Sequence, residues 1–207
     1  MEDYILRHID AEGELLGRLN RETYVKHLRP RMLSGHLQGR ILKMLCRMIQ
    51  PERILELGTF TGYSALCMAE ALAPGAQIHT IDIDDEIEDF ARTYFGQSPY
   101  KERLKFYVGD AMQVVPQIEG LFDLVFIDAD KRHYTDYYRL VFDRVRPGGF
   151  ILADNTLWDM KVTDSDRITD SQTQAIADFN DSLARDERFE KVILPVRDGL
   201  TLIRRIG

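Results

Sequence analysis

The sequence predicts an α/β fold in which a mostly parallel sheet of seven strands, with one antiparallel strand, carries helices on both faces. Short apolar runs alternate with amphipathic stretches after residue 50, as in β-α-β units. The last two runs are joined by a turn at Asp198-Gly199, which only antiparallel neighbours can use. The length of 207 residues favours one domain, 1–207, with a helical segment 1–50 and an α/β core 51–207.

The N-terminal 50 residues show the pattern of helices. Apolar side chains recur there with the period of an amphipathic helix, at Ile41, Leu42, Leu45, Met48 and Ile49. Pro30 and the Ser34-Gly35 pair interrupt the pattern before this helix, and Pro51 ends it. An apolar stripe needs a partner surface, so we expect these helices to cover a binding pocket or to form a dimer face.

Seven short runs have the composition of buried strands. They are Arg53–Gly58, Gln77–Ile83, Leu104–Val108, Phe122–Ile127, Phe150–Ala153, Lys191–Val196 and Leu200–Ile206. Four stretches between them predict helices, at Tyr63–Ala73, Asp85–Phe95, Tyr134–Val145 and Ser171–Arg185. Turn residues separate these elements, at Pro74-Gly75 and at Pro147-Gly148-Gly149.

Composition excludes several classes of protein. Apolar residues make up 44% of the chain and charged residues 29%, which is typical of a globular domain rather than a disordered or collagen-like chain. No apolar run is long enough for a membrane helix, and the first ten residues lack the apolar segment of a signal peptide. Cys46 and Cys67 are expected to be reduced core residues. We therefore expect a cytoplasmic protein with no membrane contact.

Charge is distributed unevenly along the chain. The net charge of −7 disfavours a protein that coats nucleic acid. The stretch Thr23–Gln50 nevertheless contains six lysines and arginines, two histidines and no acidic residue. Such a stretch is either a solvated helix face or a patch beside an anionic ligand or partner.

A loop with two glycines follows the first strand. The segment Glu56–Ser64 places an acid on the strand, then two spaced glycines, then a helix N-terminus with free N–H groups. It lacks the three-glycine pattern of dinucleotide enzymes and the lysine of a phosphate-binding loop. The loop therefore suits a ligand without a pyrophosphate, and a tight strand–helix turn is the alternative.

Asp82 ends the second strand about 20 residues after this loop, where a carboxylate can accept both hydroxyls of a ribose. A helix cap is the alternative role, but Asp84 and Asp85 can serve as caps instead. An adenosine-bearing ligand without phosphates suggests S-adenosylmethionine.

Polar residues also end the fourth and fifth strands. Asp128 and Asp130 follow the fourth strand, and Asp154-Asn155 follows the fifth. If these strands are neighbours, two carboxylates and one amide converge on an all-oxygen site suited to Mg²⁺, with Mn²⁺ or Ca²⁺ as alternatives. Lys131 lies beside them in the sequence as a counterion or a general base. Taken singly, each residue could also serve a turn or a cap.

These motifs resemble those of the cation-dependent, S-adenosylmethionine-dependent O-methyltransferases, which include catechol and caffeoyl-coenzyme A O-methyltransferases. The matching segments run in family order: Met32–Gly35, Glu56–Ser64, Asp82, Gly109–Ala111, Phe126–Lys131 and Asp154–Trp158. The resemblance implies a Rossmann-like class I methyltransferase fold. It also implies a homodimer that methylates a vicinal-dihydroxy, catechol-like small molecule, a hydroxylated aromatic acceptor.

The resemblance assigns roles to individual residues. The implied metal ligands are Asp128, Asp154 and Asn155. The implied cofactor-binding residues are Ser34, Glu56, Gly58, Thr59, Tyr63, Ser64, Asp82, Asp110, Ala111, Asp128 and Asp130. Lys131 and Asp128 would be catalytic, with Lys131 removing the proton of an acceptor hydroxyl whose pKa the cation lowers. Trp158 and Asp159 would lie beside the acceptor.

Three other functions are weighed against this one. A tRNA 5-hydroxyuridine O-methyltransferase would have the same fold and chemistry, and Thr23–Gln50 would bind its phosphates. A nucleotide-binding oxidoreductase would need the three-glycine pattern, which is missing. A catalytically silent dimerisation module would not need acids at the strand ends. The sequence therefore favours methyl transfer, with tRNA as the alternative acceptor.

Overall fold

The computed structural model describes residues 1–164, 166 and 168–207. The α-helices in this part of the chain are α1 Glu2–Leu6, α2 Glu14–Lys26, α3 Gly35–Ile49, α4 Tyr63–Ala69, α5 Glu88–Gln97, α6 Ala111–Val114, α7 Tyr134–Phe142 and α8 Ser171–Ala184. The strands are β1 Arg53–Leu57, β2 Gln77–Asp82, β3 Leu104–Val108, β4 Phe122–Ile127, β5 Val145–Asp154, β6 Phe189–Leu194 and β7 Leu200–Arg205.

The seven strands form one sheet in the order β3-β2-β1-β4-β5-β7-β6. The pairs β2–β3, β1–β4 and β4–β5 are parallel, whereas β7 is antiparallel to both β5 and β6. The turn between β6 and β7 contains Asp198-Gly199, where Gly199 adopts a φ of 88° that favours glycine. The predicted fold class, a mostly parallel sheet with one antiparallel strand, is confirmed.

The chain forms two compact units, and the first comprises Met1–Glu52 and Thr59–Gly109. It holds α1 to α5 together with β2 and β3. Helix α3 packs on α4 through Gly39, because a Cβ there would lie 2.6 Å from Cys67 Sγ and 2.8 Å from the Tyr63 ring. Cys46 and Cys67 are both buried in the core, as predicted.

The second unit comprises Arg53–Gly58 and Asp110–Gly207 and holds the other strands and helices. An aromatic cluster fills part of its core. The Tyr138 ring centroid lies 5.9 Å from that of Phe179 and 5.6 Å from that of Phe189. Because aromatic rings bury large apolar areas, this cluster holds α7, α8 and β6 together.

The fifth strand is longer than predicted. It begins at Val145, so the predicted turn at Pro147-Gly148-Gly149 lies within the strand. The register with β4 shifts between Phe122 and Leu124, which pair with Val145 and Phe150. An irregularity of this kind accommodates extra residues in one strand. Pro147, Gly148 and Gly149 therefore lie at a bend within β5 and do not precede it.

Other boundaries differ from the prediction by a few residues. Helix α4 ends at Ala69 instead of Ala73, α7 ends at Phe142 instead of Val145, and β6 spans Phe189–Leu194 instead of Lys191–Val196. Strand β6 begins earlier because Phe189 is buried in the aromatic cluster. In the described residues, no helix has both the length and the hydropathy needed to cross a membrane. The single domain over 1–207 and the cytoplasmic location stay predictions.

The contact between α3 and α4 generates a stability prediction. In an open helix position, replacing glycine by alanine stabilises a protein by up to about 1 kcal/mol. At Gly39 the added methyl group would meet Cys67 and Tyr63, so we expect Gly39→Ala to lower the free energy of unfolding by about 1–2 kcal/mol. The measurement is urea denaturation.

Gly96→Ala on α5 is the matched control, because a Cβ there has no neighbour within 4 Å. This variant should be unchanged or slightly more stable than the parent protein. A Gly39→Ala protein as stable as Gly96→Ala would contradict the tight packing of α3 on α4.

Candidate active site

The carboxyl ends of neighbouring strands bring the predicted acids of the second unit together. Strand β4 lies between β1 and β5, and Ile127 pairs with Ala153. Asp128 and Asp154 are therefore the next residues along two adjacent strands. The Asp128 backbone N–H donates to the Leu57 carbonyl at 2.9 Å, which ties the end of β4 to the end of β1. The fourth and fifth strands are therefore neighbours, which is the condition that the sequence analysis set for these residues to converge.

Gly58 allows the chain leaving β1 to pass over the end of β4. Its φ of 98° lies in the region that favours glycine, and a Cβ there would collide with the Asp128 carbonyl oxygen. Gly58 was predicted to allow close approach of a ligand, and in the structure it allows close approach of the backbone at Asp128. Its contact with a ligand stays a prediction.

Lys131 occupies the space between the two strand ends. Its Nζ donates to Asp128 Oδ1 at 2.7 Å and to the Tyr134 hydroxyl at 2.8 Å. The Tyr134 hydroxyl in turn donates to the Asp154 carbonyl at 2.8 Å. Lys131, Tyr134 and Asp154 are all buried, so these polar groups satisfy one another away from water.

The charge of Lys131 is set by opposing effects. Burial disfavours the ammonium form, but the Asp128 carboxylate, followed by Tyr134 and Asp154, holds the pKa of Lys131 above its ordinary value. Lys131 is therefore a cation in this arrangement and acts as a counterion of Asp128. Its role as a general base stays a prediction.

The residues predicted as metal ligands, Asp128, Asp154 and Asn155, carry oxygen donors of the kind that a hard divalent cation prefers. Asn155 has a φ of 57°, a conformation that asparagine tolerates better than most residues. The described residues contain no group of three or more His, Cys, Asp or Glu that could hold a metal, and the predicted set contains two acids and an amide. The role of these residues as ligands stays a prediction. The set fits Mg²⁺, which completes its coordination with water or substrate oxygens.

The predicted acceptor residues lie in a strained loop after Asn155. Trp158, Asp159 and Met160 have φ values of 46°, 55° and 58°, which non-glycine residues rarely adopt. The Asp159 N–H donates to the Asp198 carboxylate, which fastens the loop to the turn before β7. Within the described residues, the indole N–H of Trp158 is buried without a hydrogen-bond partner.

In the first unit, the loop Thr59–Gly62 is held by the end of β2. The Thr59 N–H donates to the Ile81 carbonyl at 3.2 Å, and the Thr59 hydroxyl lies 2.5 Å from that of Thr80. Gly62 has a φ of 88°, and its N–H donates to the Thr59 carbonyl at 2.8 Å. The loop is a tight turn before α4, with the side chain of Thr59 directed at the strand.

Asp82 supports this loop from the end of β2. Its carboxylate accepts the N–H of Phe60 at 2.6 Å and the N–H of Asp84 at 3.0 Å. Asp84 caps the next turn by accepting the N–H of Glu86, as expected. Burial raises the pKa of Asp82 in spite of these hydrogen bonds. A carboxylate can accept several hydrogen bonds, so these contacts do not exclude a ligand, and the ribose-binding role of Asp82 stays a prediction.

Other predicted cofactor residues are buried around the loop or at strand ends. Ser34 and Ser64 are buried in the first unit, and Glu56 is buried on β1 in the second unit. The Tyr63 hydroxyl donates to Glu12 Oε2 at 2.5 Å, and burial raises the pKa of Tyr63.

The remaining predicted cofactor residues begin helical turns. Asp110 caps α6 by accepting the N–H of Met112, and Ala111 is the first residue of that helix. Asp130 accepts the N–H of Arg132 and forms an ion pair with its guanidinium group, which lowers the pKa of Asp130. The capping role that the sequence allowed is therefore present, and the ligand-binding role of both acids stays a prediction.

Two residues of these networks were missed from the sequence. Tyr134 bridges Lys131 and Asp154, and its position three residues after Lys131 was the only signal. Glu12, the partner of Tyr63, lies 51 residues away in the sequence, and no sequence pattern indicated this contact.

The chain is similar to known O-methyltransferases. A family model described as O-methyltransferase matches residues 7–206. Caffeoyl-CoA O-methyltransferase 1 from Eucalyptus globulus is 35% identical over 197 residues, which is 90% of this chain and 80% of the relative. SAH-bound methyltransferase PaMTH1 from Podospora anserina has a TM-score of 0.92 at 28% identity, covering 100% of this chain and 94% of that chain. The O-methyltransferase TomG from Streptomyces achromogenes, in complex with SAM, has a TM-score of 0.90 at 28% identity, covering 99% and 95%.

The ion pair of Lys131 generates a prediction about cation binding. Breaking a buried ion pair by removing one partner costs about 3 kcal/mol or more, so Lys131→Met should destabilise the protein. The same change frees the Asp128 carboxylate. We therefore expect millimolar Mg²⁺ to raise the thermal unfolding midpoint of Lys131→Met more than that of the parent protein.

Lys191→Met is the control, because the ammonium group of Lys191 donates to the Asp186 carbonyl and has no part in this cluster. Its response to Mg²⁺ should equal that of the parent protein. An equal response in Lys131→Met would contradict a cation site at Asp128.

Proposed function

Because this chain belongs to the O-methyltransferase family, we propose that it transfers a methyl group from S-adenosylmethionine to a hydroxyl group of a catechol-like small molecule with the help of a divalent cation. The observation that supports the proposal is the parallel pairing of Ile127 on β4 with Ala153 on β5, since Asp128 follows the first and Asp154-Asn155 the second. Two carboxylates and an amide at one sheet edge suit a cation that also binds acceptor oxygens.

Two solved relatives support the cofactor. PaMTH1 is described as SAH-bound and TomG as a complex with SAM. We assign the adenosine of the cofactor to Asp82, with its ribose hydroxyls donating to the free lone pairs of the carboxylate. Ser34, Glu56, Gly58, Thr59, Tyr63, Ser64, Asp110, Ala111, Asp128 and Asp130 complete the proposed cofactor-binding set.

The second unit is assigned to the cation and the acceptor. Asp128, Asp154 and Asn155 would hold the cation, which when bound supplies Lewis acidity and orients two adjacent acceptor oxygens. Lys131 Nζ is the group proposed to take the hydroxyl proton. Asp128 cannot serve the ammonium group and another cation equally, so the protonation of Lys131 depends on what Asp128 binds.

The acceptor is proposed from the names of relatives and from the loop after Asn155. Several relatives are named caffeoyl-CoA O-methyltransferases, which favours a vicinal-dihydroxy aromatic group. Trp158 and Asp159 are proposed to contact that group, and the buried indole N–H of Trp158 is a donor in need of an acceptor oxygen. A homodimer and a cytoplasmic location are part of the same proposal.

The alternative acceptor, a 5-hydroxyuridine in tRNA, loses much of its support. Four of the six lysines and arginines in Thr23–Gln50 have partners in the first unit. Lys26 pairs with Glu22, Arg40 and Lys43 pair with Glu70, and Arg47 donates to the Glu70 carbonyl. The carboxylates of Glu22 and Glu70 therefore offset part of that charge, which weakens the phosphate-binding interpretation, so we favour the small molecule.

The decisive experiment is methyl transfer from labelled S-adenosylmethionine to a simple catechol. We expect turnover with Mg²⁺ and background counts with excess EDTA. Asp154→Ala should lower kcat/KM more than about 100-fold, because losing a ligand costs at least as much as losing a residue that supports one. Asp181→Ala, which removes an exposed acid of α8, should leave turnover unchanged.

Each part of the proposal has its own contradicting result. Turnover that persists in EDTA would exclude the cation. If calorimetry shows binding of S-adenosylhomocysteine but catechols are not methylated, the catechol-like acceptor is contradicted. The next substrate to assay is then tRNA that contains 5-hydroxyuridine. A protein that does not bind S-adenosylhomocysteine would contradict the whole proposal.

The raised pKa of Asp82 generates a prediction about pH. Ribose hydroxyls donate to the ionised carboxylate, so cofactor affinity should fall as the pH is lowered through the pKa of Asp82, which burial holds above 3.8. The contribution of Asp82 to the stability of the free protein should change in the opposite direction. In that pH window its native carboxyl binds a proton more readily than the unfolded one, so this contribution rises as the pH falls.

Calorimetry with S-adenosylhomocysteine across this pH range measures the effect. Asp82→Asn should bind weakly and without the pH dependence, whereas Asp84→Asn should retain it. If the affinity of Asp82→Asn depends on pH as that of the parent protein does, the proposed binding of the ribose by Asp82 is contradicted.

A further inference from the structure

The cofactor loop is held from its other side by the N-terminal segment Glu12–His27, which we call the α2 segment. The Thr23 hydroxyl donates to the Thr61 hydroxyl at 3.2 Å. The Tyr63 hydroxyl donates to Glu12 at 2.5 Å, and the His27 ring lies edge-on to the Phe60 ring at 5.7 Å between centroids. Three positions of the loop and its helix, 60, 61 and 63, are therefore contacted by one segment.

Thr23 is an unusual residue for its place on α2. The helix buries Leu16, Leu19 and Thr23, so two leucines and a threonine form its inner stripe. Thr23 and Thr61 are both fully buried. A buried hydroxyl costs free energy unless it is hydrogen-bonded, and the Thr23–Thr61 bond forms only when α2 lies at one position along the loop. The pair therefore fixes where α2 sits on the loop.

The loop needs such support because its conformation is strained. Phe60 has a φ of 46°, which is unfavourable for a residue with a bulky side chain. Asp82 holds the Phe60 N–H on one side, and the His27 ring packs against the Phe60 side chain on the other. Strained backbone persists where the surrounding structure holds it from several directions.

We propose that the α2 segment positions the cofactor loop and that Thr23 is the positioning residue. This inference rests on the proposed function, because that function assigns the loop Thr59–Gly62 to the cofactor. When the Thr23–Thr61 bond is lost, the loop samples other conformations. The apparent affinity for the cofactor is then reduced in proportion to the fraction of molecules in which the loop keeps the binding conformation.

The test compares three variants of the full chain. Thr23→Val keeps the shape of the side chain and removes the hydroxyl, and Thr23→Ser keeps the hydroxyl. Thr93→Val is the matched control, since the Thr93 hydroxyl donates to the Asp89 carbonyl within α5. We measure binding of S-adenosylhomocysteine by calorimetry and hydrogen exchange of the Phe60 and Gly62 amides by NMR.

We expect Thr23→Val to weaken binding about tenfold, the scale of one lost buried hydrogen bond, while Thr23→Ser stays within about twofold of the parent protein. The Phe60 and Gly62 amides should exchange faster in free Thr23→Val and recover protection when S-adenosylhomocysteine is bound. Thr93→Val should match the parent protein in both measurements. If Thr23→Val does not fold, Thr23→Ala, which also removes the hydroxyl, replaces it with the same expected direction.

Results that overturn this inference differ from those that overturn the proposed function. If the parent protein does not bind S-adenosylhomocysteine, the proposed function is contradicted. The hydrogen-exchange data would then be the only test of the positioning role of Thr23. Binding in Thr23→Val equal to that of the parent protein would overturn the role of Thr23. Unchanged exchange of the Phe60 and Gly62 amides would overturn it as well, because a purely structural threonine would lower global stability without loosening the loop.

Discussion

The parallel pairing of β1, β4 and β5 is the constraint on which the candidate metal site depends. Parallel strands end at the same edge of a sheet, so each strand delivers its following residue to one place. The bond from the Asp128 N–H to the Leu57 carbonyl fixes this edge, and Gly58 allows the two backbones to approach. A side chain at Gly58 would push Asp128 away from Asp154, and the oxygen donors would separate.

Bringing two carboxylates together requires a compensating positive charge, since like charges at one buried site repel. Lys131 provides that charge, and Tyr134 connects it to the backbone of Asp154. The ammonium group of Lys131 is thus the counterion of Asp128 in this arrangement. The roles of Asp128 and Asp154 as metal ligands and of Lys131 as a general base stay predictions.

Several acids at strand ends have a structural partner as well as a proposed ligand. Asp82 holds the Phe60 N–H, Asp110 caps α6, and Asp130 pairs with Arg132. These roles do not exclude ligand binding, because a carboxylate can accept several hydrogen bonds. They explain why the sequence analysis had to weigh a cap against a ligand at Asp82 and Asp130: the same oxygen chemistry serves both.

The sequence by itself determined the order and type of the elements and the edge at which the polar residues gather. Apolar periodicity and turn residues are local, so they predicted the β-α-β pattern and the reversed last strand. They could not place the start of β5 at Val145, because the shift in its register depends on pairing with β4. Only the tertiary structure decided the partners of the site: Tyr134 beside Lys131, Glu12 beside Tyr63, and Thr23 beside Thr61. Hydrogen bonds between segments far apart in the chain depend on distances of a few ångströms, which packing sets and residue spacing does not encode.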